Sequence, residues 1–93
     1  MWEVLYHRNA AKRIKKLPPQ VREKLDVWAQ IVEQQGPVGL REFSGFNDEA
    51  LTGDWQGYRS SRLNRQYRVI YSIDDDTVCV LVVDVTAHDY RRK

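Results

Sequence analysis

At 93 residues the chain has room for one small domain, 1–93, with one modest core. With 42% hydrophobic and 30% charged residues it fits an ordinary globular protein, and no apolar run approaches the length needed to cross a membrane. The net charge of +2 is small, but the positive charge is segregated, which is the electrostatic footprint of a polyanion partner or of solvated helix and tail surfaces. Trp2 to Tyr6 has the β-friendly composition of a short strand. Asn9 is placed to cap a short helix from Ala10 to Leu17, in which Ala10, Ile14 and Leu17 recur at helical spacing and Lys12, Arg13, Lys15 and Lys16 fill the other faces. Pro18-Pro19 ends that helix and opens a second, which runs to about Gln35 on a stripe of Val21, Leu25, Trp28 and Val32. Gly36 and Pro37 stop it.

From Val38 to Gln56 no period holds. The glycines and the Ser, Asn and Asp content read as loop, with Leu40, Phe43, Phe46, Leu51 and Trp55 as anchors to the core. A connector this long is either functional or contains a short element of its own.

The final third carries the sheet. If Asn64-Arg65-Gln66 is a hairpin loop, Leu63 pairs with Tyr67, and Arg62 lies directly opposite Arg68. Alternation then gives Leu63, Tyr67, Val69, Tyr71 and Ile73 to a core face and Tyr58, Ser60, Arg62, Arg68, Ile70 and Ser72 to the other. Like charges opposed across a strand pair are unfavourable, so this second face either expects an anion or carries two arginines leaning apart into solvent. A second hairpin turns at Asp74-Asp75-Asp76, and Thr77 to Val85 is a β-branched run suited to a central strand. Pairing Ile73 with Thr77 assigns Cys79, Leu81, Val83 and Val85 to the core and leaves Val78, Val80 and Val82 on the arginine face, calling for cover by a partner chain.

The expected architecture is therefore α+β, in the order β-α-α-β-β-β, with a helical hairpin on a small antiparallel sheet. Cys79 stands alone, so it builds no disulfide frame and reads as a small buried hydrophobe in a reducing compartment. One cysteine and two histidines are too few for a zinc site, so no metal or other cofactor is expected. The amino terminus lacks a signal peptide's apolar core, and a cytoplasmic protein is expected.

After the last strand comes Thr86-Ala87-His88-Asp89-Tyr90. Histidine is the commonest proton-transfer side chain, arginines neutralise a phosphate that gains charge, and a tyrosine can orient a leaving group or stack on a base. His88, Arg62, Arg68 and Tyr90 together would serve cleavage of RNA by its own 2′-hydroxyl, which needs a base, an acid and positive charge. Arg59, Arg65, Lys12, Arg13 and Lys16 are the candidate RNA-binding residues, and Asp48, Glu49 or Asp54 is a candidate additional base.

On the element order, on Tyr67-Arg68-Val69-Ile70-Tyr71 and on the terminal His88-Asp89-Tyr90, nearly the whole chain resembles the RelE/ParE superfamily of bacterial type II toxins. The resemblance implies a RelE-like fold and a toxin that cleaves messenger RNA in the ribosomal A site. It also implies a cognate antitoxin that holds the toxin inactive, with operator DNA contacted only through that antitoxin and no membrane involved. By the same resemblance Arg68 contacts the scissile phosphate, Arg62 is a basic residue of the preceding strand, and His88 stands where members have a catalytic arginine or histidine. Tyr90 matches a C-terminal aromatic of variable spacing. Ser60 and Arg62 replace a lysine pair found in some members. The alternative reading is a ParE-like inhibitor of DNA gyrase that shares the fold and has no nuclease activity.

Overall fold

The computed structural model describes residues 1–87, and His88 and Tyr90 lie outside them. A five-stranded sheet runs in the order β1-β5-β4-β3-β2, with β1 Glu3–Tyr6, β2 Glu49–Ala50, β3 Arg59–Arg62, β4 Arg68–Asp74 and β5 Cys79–Thr86. β1 is parallel to β5, and every other pairing is antiparallel. Two helices, α1 (Arg8–Ile14) and α2 (Pro19–Gln35), cover one face. The expected α+β order holds, with the two-residue strand β2 added inside the stretch read as loop. That stretch also holds three short 3-10 turns.

The first helix begins earlier than the Asn9 cap predicts. His7 is its N-cap, and the imidazole Nδ1 accepts the Asn9 backbone N–H at 3.1 Å. α1 ends at Ile14 rather than Leu17, and Gly36 (φ +79°) closes α2.

The core lies between helices and sheet. Ala10, Leu17, Val21, Leu25, Trp28 and Val32 meet Leu63, Val69, Tyr71, Val80, Val82 and Val85, joined by Leu40 and Phe46 from the long connector. Phe43, predicted as an anchor, is exposed.

The first hairpin pairs Arg62 with Arg68 as expected, and the Leu63 N–H donates to the Tyr67 carbonyl at 2.9 Å. The second hairpin departs from expectation. Asp74 pairs with Cys79, and Ile73 pairs with Val80 rather than Thr77. The Asp74 carboxylate accepts the backbone N–H groups of Asp76 and Thr77, which draws the turn out to Val78. This odd slip exchanges the faces, so Val80 and Val82 are fully buried in the core while Cys79, Leu81 and Val83 are only partly covered. A bulge at Ile70/Tyr71 then restores the parity, and Val85 points into the core as expected. No valine of β5 is left bare for a partner to cover; Val78, in the turn, is 39% exposed.

Candidate RNA-binding face

The face of the sheet away from the helices carries a second, smaller apolar cluster. Ile70 and Leu51 are buried there, with Trp55, Tyr58 and Val83 packed against them. The cover of this face is thus supplied by the chain's own 51–58 segment.

Asp48 and Glu49 enter β2 in succession and, as extended residues do, send their side chains to opposite faces. Each takes an arginine. On the helix side the Asp48 carboxylate, whose side chain is wholly buried, accepts Nε and Nη2 of Arg59 at 2.8 and 2.7 Å, and also the hydroxyls of Ser61 and Tyr71. Trp28 Nε1 donates to the same Ser61 hydroxyl at 3.0 Å, and the Trp28 and Tyr71 rings meet edge-on at 5.2 Å. Burial pushes the Tyr71 hydroxyl pKa well up, and the Asp48 carboxylate adds to that. For Arg59 burial opposes the charge, but the hydrogen bond and charge of Asp48 outweigh it, and the pKa stands raised. Arg59, predicted to bind RNA, is therefore engaged inside the fold.

On the other side Arg68 is 9% exposed. Its Nε and Nη2 donate to the Ser60 hydroxyl at 3.1 and 2.9 Å, and Nη2 also reaches the Asn47 carbonyl and the Glu49 carboxylate, each at 3.3 Å. Glu49 supplies a negative charge to Arg68 on this face, and its side chain remains 34% exposed. Arg62, across the ladder from Arg68, is exposed. The opposed arginines thus differ in kind: one is held by the fold and the other is presented to solvent.

Arg68 has a second neighbour. Its partner on β5 is Thr86, so the chain leaves the sheet beside the guanidinium two residues before His88. The structure brings together Arg62, Arg68 and Glu49. Arg65 is exposed at the hairpin tip, where Asn64 Oδ1 accepts the N–H groups of Gln66 and Tyr67. Lys12, Arg13 and Lys16 are exposed on and just after α1, and Arg13 Nε lies 3.4 Å from Asp84. Among the described residues no cluster suited to a metal ion occurs, and no helix is long and apolar enough to cross a membrane.

The contact of Glu49 with Arg68 is only half legible in the sequence. The acid was visible as a candidate base, but nothing in a segment read as loop tied it to Arg68. The signal was the Asp48-Glu49 pair itself, since two adjacent acids in an extended segment must part company.

No protein-family model matches this sequence, and no curated protein sequence does. Solved structures do resemble the fold. A YoeB/ParE toxin from Agrobacterium tumefaciens aligns over 92% of this chain and 98% of its own, at a TM-score of 0.73 and 18% identity. The archaeal RelE–RelB complex from Pyrococcus horikoshii OT3 aligns over 96% and 97%, at 0.75 and 23%. A heterotetrameric YoeB–YefM toxin–antitoxin complex from Staphylococcus aureus aligns over 95% and 98%, at 0.73 and 18%. Over nearly its whole length the chain has the fold of these RelE and YoeB/ParE toxins.

Proposed function

We propose that this protein is the toxin of a type II toxin–antitoxin pair and acts as a ribosome-dependent messenger RNA endonuclease. The observation that carries this reading is the grouping of Arg62, Arg68 and Glu49 at the point where β5 ends. Attack by a 2′-hydroxyl on the adjacent phosphate requires a base for the hydroxyl proton, a cation for the phosphorane charge and an acid for the leaving 5′-oxygen. Glu49, part exposed and 3.3 Å from Arg68, is suited to take the first proton. Arg62 and Arg68 supply the positive charge, Arg68 preorganised by Ser60 and the Asn47 carbonyl. His88 protonates the leaving oxygen, and Tyr90 orients it. Arg65, with Lys12, Arg13 and Lys16, adds general affinity for the polyanion.

The partners of this reading are a cognate antitoxin and the ribosome carrying message in its A site, with operator DNA reached only through the antitoxin. The neighbours solved as toxin–antitoxin complexes support the first of these. The test is a translation assay followed by mapping of message ends, with a gyrase supercoiling assay run beside it. The expected result is cutting of ribosome-bound message, slowed on the order of 10²–10⁴-fold by His88→Ala. Intact message with inhibited supercoiling would overturn the reading.

A further inference from the structure

Trp55 and Tyr58 sit on the same side of the sheet as Arg62 and Arg68, and their arrangement is a built one. The segment from Leu51 to Tyr58 folds back on itself through glycines at Gly53 (φ +64°) and Gly57 (φ +96°). At both positions an added Cβ would meet nothing within 4 Å, so it is the backbone angle rather than space that asks for glycine. The loop is closed by the Tyr58 N–H donating to the Trp55 carbonyl at 3.0 Å and the Leu51 N–H to the Tyr58 carbonyl at 2.9 Å. The result is an edge-to-face aromatic pair with ring centroids 5.5 Å apart, seated on Ile70 and still partly exposed.

Glu49, Ser60 and Ile70 share one rung of the sheet, and Tyr58 stands two residues before Ser60 on that face, about 7 Å along the strand. The pair therefore lies one step along the strand from the Arg68–Glu49 site. A step of this size matches the reach from a nucleotide's phosphate to its own base. Aromatic rings of this kind are stacking platforms for unpaired bases in single-stranded RNA, and stacking tolerates any base because every base has a π-face. Cation beside aromatic at this spacing is the arrangement that recognises a nucleotide by both ends.

We infer that Trp55 and Tyr58 form a base-stacking subsite for a nucleotide flanking the scissile phosphate, next to the Arg68–Glu49 pair that meets the phosphate. The inference rests on the endonuclease reading given above. Trp55 touches the substrate base and carries most of the stacking; Tyr58 positions it. Such binding is made equally in ground and transition states, so its loss raises KM and leaves kcat nearly unchanged.

The experiment compares the full chain with Trp55→Leu and Trp55→Phe on ribosomes programmed with a defined message. Each protein is also given a message made abasic at the nucleotide on one side of the cut or the other. On intact message Trp55→Leu should raise KM by about ten-fold to a hundred-fold, with Trp55→Phe largely restored. On message abasic at the stacked nucleotide, the parent and Trp55→Leu should become equal. Leucine keeps Ile70 covered, and thermal melting of each variant confirms that the fold is intact. If the parent cuts but Trp55→Leu cuts with the same KM, the subsite is absent while the endonuclease reading stands. If the KM penalty persists on both abasic messages, Trp55 does not stack on a flanking base. If the parent cuts no message, the endonuclease reading itself fails and the subsite falls with it.

Discussion

The Tyr71 hydroxyl donates to the buried carboxylate of Asp48, and through that one acid the middle of the sheet is tied to α2. Asp48 also holds Arg59 and the Ser61 hydroxyl, which in turn accepts Trp28 Nε1. A carboxylate with no exposed surface is tolerated only where its charge and its lone pairs are matched, as they are here. Asp48→Ala leaves the part-buried Arg59 without its partner and takes an acceptor from two buried hydroxyls. We expect a loss of about 3 kcal/mol, read as a fall in the denaturant midpoint at unchanged slope. Loss of less than about 1 kcal/mol would mean that Arg59 finds another acceptor and the network is dispensable.

The same contact gives the protein an alkaline limit. The Tyr71 pKa is raised in the folded chain, by burial first and by Asp48 second, while in the unfolded chain it stands near the ordinary value of about 10. Its stabilising share is complete below pH 10. Above that pH the unfolded state releases the proton and the folded state retains it, so stability falls as pH rises, by up to about 1.4 kcal/mol per unit from this group. Tyr71→Phe should be less stable at pH 7, having lost the bond to Asp48, yet show a shallower decline between pH 10 and 11.5. Tyr6, whose pKa is also raised, is common to both proteins and cancels in the comparison. Parallel stability curves for the two proteins would show that Tyr71 titrates normally.

The two hairpins show what a sequence discloses and what it conceals. At the first, Asn64 sits where an Asx turn closes a three-residue loop, and Leu63 before it with the alternating Tyr67, Val69 and Tyr71 after it agree with the register found. Arg62 opposite Arg68 follows, and the structure has it. At the second, Asp74, Asp75 and Asp76 offer equivalent turn residues, and a nearly continuous apolar strand has no alternation to select among them. The register was settled by which aspartate captured the following N–H groups, and β5 then needed a bulge to return Val85 to the core. The site was legible to a similar extent. Opposed arginines could be read from pairing alone, but burial of Arg68 against Glu49 depends on β2, a strand of two residues with no periodic signal.

Arg62 and Arg68 are accordingly predicted to separate on mutation. Arg68→Ala removes a buried guanidinium together with its hydrogen bonds to the Ser60 hydroxyl and the Asn47 carbonyl, costing about 1–2 kcal/mol; the part-exposed Glu49 adds little. Arg62→Ala should stay within about 0.5 kcal/mol of the parent, as exposed substitutions do. Both should slow single-turnover cleavage by about 10²–10³-fold. Arg65→Ala should instead flatten the salt dependence of RNA binding by roughly one unit of slope. Equal melting temperatures for Arg62→Ala and Arg68→Ala would show that the contacts of Arg68 add no stability.

Val78 is the residue where the second hairpin is under strain. It lies at φ +54°, in the left-handed region, which a β-branched residue enters at a cost of about 1–2 kcal/mol. It cannot leave that conformation cheaply, because its N–H donates to the Asp75 carbonyl at 3.3 Å and its own carbonyl accepts the Glu3 N–H at 3.1 Å, fastening β1 to the turn. The residue is 39% exposed, so little packing is at stake. Val78→Gly keeps both backbone bonds and removes the steric cost, against some added freedom in the unfolded chain. We expect a net gain of about 0.5–1 kcal/mol, seen as a rise of several degrees in Tm. Val78→Pro, which can neither reach this φ nor donate the N–H, should lower Tm sharply and loosen β1, read as faster amide exchange at Leu5 and His7. A glycine variant that melts below the parent would mean that Val78 contributes packing in the turn greater than the strain it carries.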